Sequence, residues 1–191
     1  MRYIADIAAF TILILVVAFC STAYGKNDQR IYEYDVQFYE LSIRFDVERK
    51  SFSGSVLMTA DALDRLDTIV LSASSSTLTI DSVFFNGRRV KFTHEFDHLN
   101  IIPTSKVTAK RSFEIWVFYY GVSKFHGEYE SGGVLFDKVR GIDHIATSSQ
   151  PYFARTWWPC KDVPDDKATL NINITVPNPM TAVSNGILKN I

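Results

Sequence analysis

Two groups of residues in this chain bring reactive side chains together at spacings that could support chemistry. In His94-Glu95-Phe96-Asp97-His98, a Glu follows the first of two imidazoles that lie four positions apart. On a helix that spacing sets both rings on one face, one turn apart, where they can hold a zinc ion while the Glu serves as base toward its bound water. The second group is the stretch Ile145 to Lys167, which gathers Gln150, Arg155, Trp157, Trp158, Pro159, Cys160 and Asp162. It has no clean period of two or 3.6 residues, so it reads as a shaped loop rather than a strand or an amphipathic helix.

The elements around the first group do not supply a helix. His94 to His98 follows the Asn86-Gly87 turn and the alternating Val90 and Phe92, and precedes Leu99, Ile101 and Pro103. That pattern predicts strand, tight turn, strand, on which two imidazoles four apart do not converge. Zinc also needs a further ligand, and Glu114 falls in a strand pattern. We expect no metal site in this chain.

The second group allows two readings. A loop can present polar groups to a ligand, because rigid scaffolds carry function on their connections. It can equally be a plug, with Trp157 and Trp158 filling the edge of the core and Arg155 paired to a nearby Asp. Cys160 reads as a small buried apolar side chain with no His base near it in sequence. Asp162, Asp165 and Asp166, beside Lys161 and Lys167, predict a solvated, salt-bridged turn rather than a metal cluster.

The run Thr147 to Pro164, with Gln150, Ala154-Arg155, Pro159-Cys160, Asp162 and Pro164 at these spacings, resembles the signature loop of the aminopeptidase N family of zinc metallopeptidases. The similarity extends upstream through Tyr34-Asp35-Val36, Phe52-Ser53-Gly54-Ser55-Val56 and Tyr120-Gly121, and downstream to Val183-Ser184-Asn185-Gly186. The resemblance implies an N-terminal all-β domain that leans on a separate catalytic domain and lends one loop to its active site. It implies that Gln150 helps hold the free α-ammonium of a peptide substrate, with Arg155, Trp157, Trp158, Pro159, Cys160 and Asp162 shaping the loop. A side-chain carbonyl oxygen suits that task, since a charge-assisted hydrogen bond from an ammonium is among the stronger ones. Many members carry a Gln where this chain has Ser148.

The resemblance also implies zinc in the complete enzyme, held by a helical HExxH downstream of the loop, whereas the match at His94 lies upstream. The expectation is therefore a fragment of a secreted aminopeptidase that binds peptide N-termini through the complete enzyme. The missing catalytic domain would be its partner, and the chain itself would carry no catalytic residue and no zinc. The alternative is a stand-alone, non-catalytic exported β-sandwich with a binding or structural role.

The scaffold that must position these residues is legible from composition and periodicity. The chain has 191 residues, 47% hydrophobic and 14% aromatic, with a formal net charge of -1. That balance suits one globular domain and excludes a disordered chain. Scattered Arg and Lys leave no basic stripe for nucleic acid. Residues 1–25 read as a secretory signal, with Arg2 before the apolar run Ile7 to Cys20 and small residues near Gly25, which predicts a secreted, periplasmic or cell-surface location. A signal-anchor is the runner-up. Removal of the leader leaves Cys160 alone, so no disulfide is expected.

The body, residues 26–191, alternates with a period of two. Leu41 to Val47, Val56 to Ala60, Leu78 to Phe85, Phe113 to Tyr119 and Ala168 to Val176 predict strands, and Asn86-Gly87 predicts a hairpin turn. Aromatics on both faces of the Phe113 strand predict that it is covered on both sides, either between sheets or at a domain contact. Lys124 to Gly141, with its glycines, reads as an irregular loop. Asn173-Ile174-Thr175 is a formal N-glycosylation acceptor on an outward face. The fold class predicted is an all-β antiparallel sandwich or saddle, incomplete at its C-terminus.

Overall fold

The structure, a computed structural model, describes residues 29–124 and 132–190. The leader read over residues 1–25 lies outside them. Eleven strands follow in order: β1 (Tyr34–Asp46), β2 (Ser51–Ala62), β3 (Ile69–Ser72), β4 (Leu78–Phe85), β5 (Arg88–Arg89), β6 (Lys91–Glu95), β7 (His98–Ile102), β8 (Ser112–Val122), β9 (Gly133–Val139), β10 (Ile142–Ser148) and β11 (Thr169–Thr175). They form a six-stranded sheet in the order β11-β1-β2-β8-β4-β5, a three-stranded sheet β3-β7-β6 and a two-stranded ribbon β10-β9.

Alternation of apolar and polar side chains decides which face of the large sheet is buried. Tyr34, Val36, Leu41, Ile43 and Phe45 of β1, Val56, Met58 and Ala60 of β2, and Phe113, Ile115, Val117 and Tyr119 of β8 all point inward. A one-residue register shift between Val36 and Phe38 keeps both ends of the long β1 on that pattern. The small sheet closes over one end of this layer through Ile69, Leu71, Leu99 and Ile101, all fully buried. The Tyr34 hydroxyl crosses the gap and donates to the Val70 carbonyl at 2.7 Å, and its ring meets Phe113 edge-on at 6.0 Å. The β9–β10 ribbon joins the core at the other end, where Phe136 packs against Phe45 with centroids 6.2 Å apart.

Three hairpins close on two-residue turns with both residues at positive φ: Asn86-Gly87, Phe96-Asp97 and Arg140-Gly141. This is the conformation that matches the right-handed twist of paired strands. The Phe96-Asp97 turn joins β6 to β7, so the residues from His94 to His98 run strand, turn, strand as expected.

Four expectations need correction. The sheet is mixed, because β11 lies parallel to β1, with Phe38 opposite Thr169 and Arg44 opposite Thr175. A parallel neighbour needs a long crossover, and all of the chain between the two strands provides it. The segment read as an irregular loop over Lys124 to Gly141 contains β9, in which Val134 and Phe136 face the core. Two of its glycines serve close contact and conformation: a Cβ on Gly132 would stand 1.7 Å from the Phe153 ring, and Gly133 has φ 99°. Ile145 to Ser148 belongs to β10 rather than to the loop that follows. Finally, β8 does not lie between sheets: among the described residues only one of its faces is covered, and Trp116 and Tyr120 on the other are 45% and 54% exposed.

Candidate functional site

The loop from Ser149 to Ala168 leaves the ribbon at β10 and crosses to the edge of the large sheet at β11. Its first turn is wound by local bonds. The Phe153 amide donates to the Ser149 carbonyl at 2.9 Å, the Thr156 hydroxyl to the Phe153 carbonyl at 2.7 Å, and the Trp157 and Trp158 amides both to the Ala154 carbonyl. A single 3-10 turn, Ala154–Thr156, results. The Trp157 indole N–H reaches back to the Ser149 hydroxyl at 3.2 Å.

Beyond that turn the loop is bonded to the scaffold at successive residues. The Arg155 carbonyl accepts the Ser74 amide, the Thr156 carbonyl accepts the Thr77 hydroxyl, and Cys160 pairs with Ser72 in both directions at 2.8 and 3.0 Å. The Lys161 amide donates to the Tyr39 hydroxyl at 3.0 Å. The Tyr39 ring stands edge-on to Trp158 at 5.0 Å. Trp157, Pro159 and Cys160 are buried. Trp158 is half-buried, and its indole N–H is enclosed without a partner among the described residues.

Two ion pairs fix the loop from within. Arg155 Nε donates to Asp162 Oδ2 at 2.8 Å, and an Arg155 terminal nitrogen reaches the Asp162 carbonyl at 3.3 Å. Lys161 and Asp166 pair with side chains each 6% exposed. Lys161 Nζ also donates to the Tyr34 carbonyl at 2.6 Å, and the Val36 amide points at Asp166 Oδ2. The acidic cluster is thus salt-bridged, as its lysines predicted, but it is not a solvated turn: only Asp165 and Lys167 lie in water. Burial of Lys161 under the rings of Tyr32 and Tyr34 explains the difference, because a buried cation requires a buried counter-charge.

The Cys160 thiol, fully buried, is pushed well above its usual pKa, by desolvation first and then by the negative charge of Asp162, against the opposing pull of Arg155. It is therefore held as an unreactive thiol. Burial likewise raises the phenols of Tyr34 and Tyr39.

Gln150 stands apart from this network. It is exposed, it lies two residues beyond the end of β10 at Ser148, and among the described residues its amide enters none of the bonds that hold the loop. Ser148 and Ser149 beside it are also exposed, as is Tyr152. Behind them Ala154, Trp157 and Trp158 form one wall of a broad, mainly apolar hollow of 1630 Å³, shared with Leu41, Ile145 and Ile172. The arrangement offers water one neutral amide on a rigid support.

His94 and His98 are not brought together. His94 pairs across the hairpin with Leu99 and His98 with Glu95, so the two rings lie on opposite faces. His94 Nε2 lies 2.9 Å from the Ala73 carbonyl and His98 Nδ1 lies 2.8 Å from the Phe96 carbonyl. Among the described residues, no group of three His, Cys, Asp or Glu side chains is placed to hold a metal. Nothing but the bare proximity of opposite charges marks Lys161 and Asp166 in the sequence as a buried pair.

Known proteins resemble this arrangement. The Peptidase M1 N-terminal domain family matches residues 35–190. Aminopeptidase M1 of Arabidopsis thaliana is 28% identical over 177 residues, which is 84% of this chain and 19% of the relative. Aminopeptidase N of Lactobacillus helveticus is 31% identical over 137 residues, 71% of this chain and 15% of the relative. An M1 zinc metallopeptidase of Deinococcus radiodurans, solved with a Tyr-Ser-Ala substrate, shares the fold with a TM-score of 0.71 at 23% identity, covering 83% of this chain and 36% of that one. The chain thus spans less than a fifth of the curated relatives and about a third of the solved structure.

Proposed function

From the membership of this chain in the peptidase M1 N-terminal domain family, we propose that it is the substrate-positioning domain of a secreted zinc aminopeptidase. In the complete enzyme, which removes N-terminal residues from peptides, Gln150 helps to register the substrate's free amine. The observation that carries this reading is the contrast within one loop. Gln150 is exposed and unengaged, while behind it Cys160 is bonded to β3 and Arg155, Trp157 and Asp162 are fixed by bonds within the loop.

A neutral amide oxygen accepts a hydrogen bond from an ammonium without a counter-charge of its own, and a rigid support limits the ordering entropy lost when the substrate docks. Fixing the amine sets the distance to the first peptide bond, so the loop acts as a ruler rather than as a reactive group. Among the described residues, His94 and His98 do not fit zinc, since their rings diverge and face carbonyls. We assign the metal and the hydrolytic step to the part of the enzyme outside this sequence. We assign export to the apolar run from Ile7 to Cys20.

The test compares release of N-terminal residues from a tripeptide by the 191-residue chain and by the complete enzyme, each with and without added zinc. The expected result is zinc-dependent release by the complete enzyme and none by the chain alone. Zinc-dependent release by the chain alone overturns the reading.

A further inference from the structure

We propose that the outer face of the six-stranded sheet binds a neutral oligosaccharide. Strand register lines up two rows of outward side chains across that face. One runs Asn173, Ser42, Ser55, Phe118, and the next runs Thr175, Arg44, Ser53, Tyr120. They line a shallow groove of 530 Å³, which ends at Asp81 on β4. Five strands at the usual spacing make the groove about 19 Å long, room for several linked sugar rings.

The aromatic end is a platform. Phe118 lies 4.7 Å from Trp116 at 39° and 5.8 Å from Phe84, edge-on. Trp116 and Tyr120 are among the most exposed large side chains of the sheet. A strand face turned to water rarely carries Trp, Phe and Tyr at successive outward positions unless something covers them. The other end of the groove is made of hydroxyls and an amide. The Asn173 amide donates to the Ser42 hydroxyl at 3.3 Å. The Ser53, Ser55 and Thr175 hydroxyls enter no side-chain hydrogen bond among the described residues.

This combination selects the class of ligand. Pyranose rings offer an apolar C–H face that stacks on an aromatic ring, and hydroxyl edges that exchange hydrogen bonds with Ser, Thr and Asn. Arg44 and Asp81 carry opposite charges at the groove, so it has no net field to attract a polyanion. A dry protein interface is a poorer match, because its centre is apolar and the hydroxyl row would go unpaired there.

The test is calorimetric titration of the full chain, made in a bacterial host so that Asn173 bears no sugar, with cellopentaose, chitopentaose and maltopentaose in turn. At least one probe is expected to bind saturably at millimolar or lower concentration. Tyr120→Ala and Ser55→Val, both lining the groove, are each expected to weaken it about tenfold while the thermal midpoint stays unchanged. Gln150→Ala is expected to leave it intact, which separates this site from the loop. Absence of binding by all three probes, or binding that survives both outward substitutions, overturns the proposal.

Discussion

Arg155 and Asp162 clasp the base of the loop: the guanidinium Nε donates to Asp162 Oδ2 at 2.8 Å, and the same oxygen accepts the Arg155 amide at 3.3 Å. One carboxylate therefore holds both the side chain and the backbone of the residue that starts the turn toward Trp157. Asp162 is 9% exposed and Arg155 29%. Asp162→Ala should destabilise the chain by about 2 kcal/mol, as expected for losing charge-assisted bonds to a partly solvated partner. Urea unfolding monitored by fluorescence checks this. A midpoint equal to that of the parent would mean that the loop holds its shape without the clasp.

The Lys161–Asp166 pair is deeper, so its loss should cost more. Lys161→Met leaves Asp166 buried with one oxygen already unpartnered, and the expected cost is about 3–5 kcal/mol. Lys161→Met combined with Asp166→Leu removes both charges and should recover most of that stability. A double variant no more stable than the single one would contradict the assignment of the cost to an uncompensated charge.

Tyr119 gives a prediction of the opposite sign. Its hydroxyl is buried without a partner among the described residues, beside Gly54, where an added Cβ would stand 2.4 Å from the Ser42 carbonyl. Tyr119→Phe removes a desolvated polar group and should leave stability unchanged or raise it by about 1 kcal/mol. Gly54→Ala should lower it. Thermal unfolding of the two variants checks both signs.

Buried acidic groups set the alkaline limit. Cys160, Tyr34, Tyr39 and Tyr119 all have raised pKa values in the folded chain, mainly through burial. Below about pH 8.5 both folded and unfolded states keep these protons, so there is no effect. Above it the unfolded chain releases the thiol proton first, and above about pH 10 the phenols follow, so stability falls with rising pH. Each group contributes at most about 1.4 kcal/mol per pH unit. Urea titrations from pH 7 to 11 check the trend, and mapping of thiol labelling should find Cys160 protected in the folded chain. A flat profile would contradict it.

What was legible in the sequence follows from physics of short range. The alternation Leu41, Ile43, Phe45 marked β1, and Asn86-Gly87 marked the turn between β4 and β5, because both signals lie within a few residues. Phe96-Asp97 adopts the same turn with no glycine at all, so only its flanking alternation pointed to it. The β9 strand was hidden by Gly132 and Gly133, whose need for contact with Phe153 and Thr156 comes from residues some twenty positions away. The parallel pairing of β11 with β1 was equally out of reach, since periodicity gives the face of a strand and not its direction. At the site, the role expected of Gln150 rests on the family resemblance, and the loop itself was found from its lack of a clean period. The burial of Lys161 and Asp166 was not, because it depends on where Tyr34 and Val36 stand.

The most direct test of the account is steady-state hydrolysis of a tripeptide by the complete enzyme with Gln150→Ala. The expected result is that kcat/KM falls by about tenfold or more, the loss of one charge-assisted hydrogen bond to the substrate amine, while the thermal unfolding of the domain is unchanged. A variant that folds normally and retains the parent's kcat/KM would contradict the role given to Gln150. So would one that loses its fold.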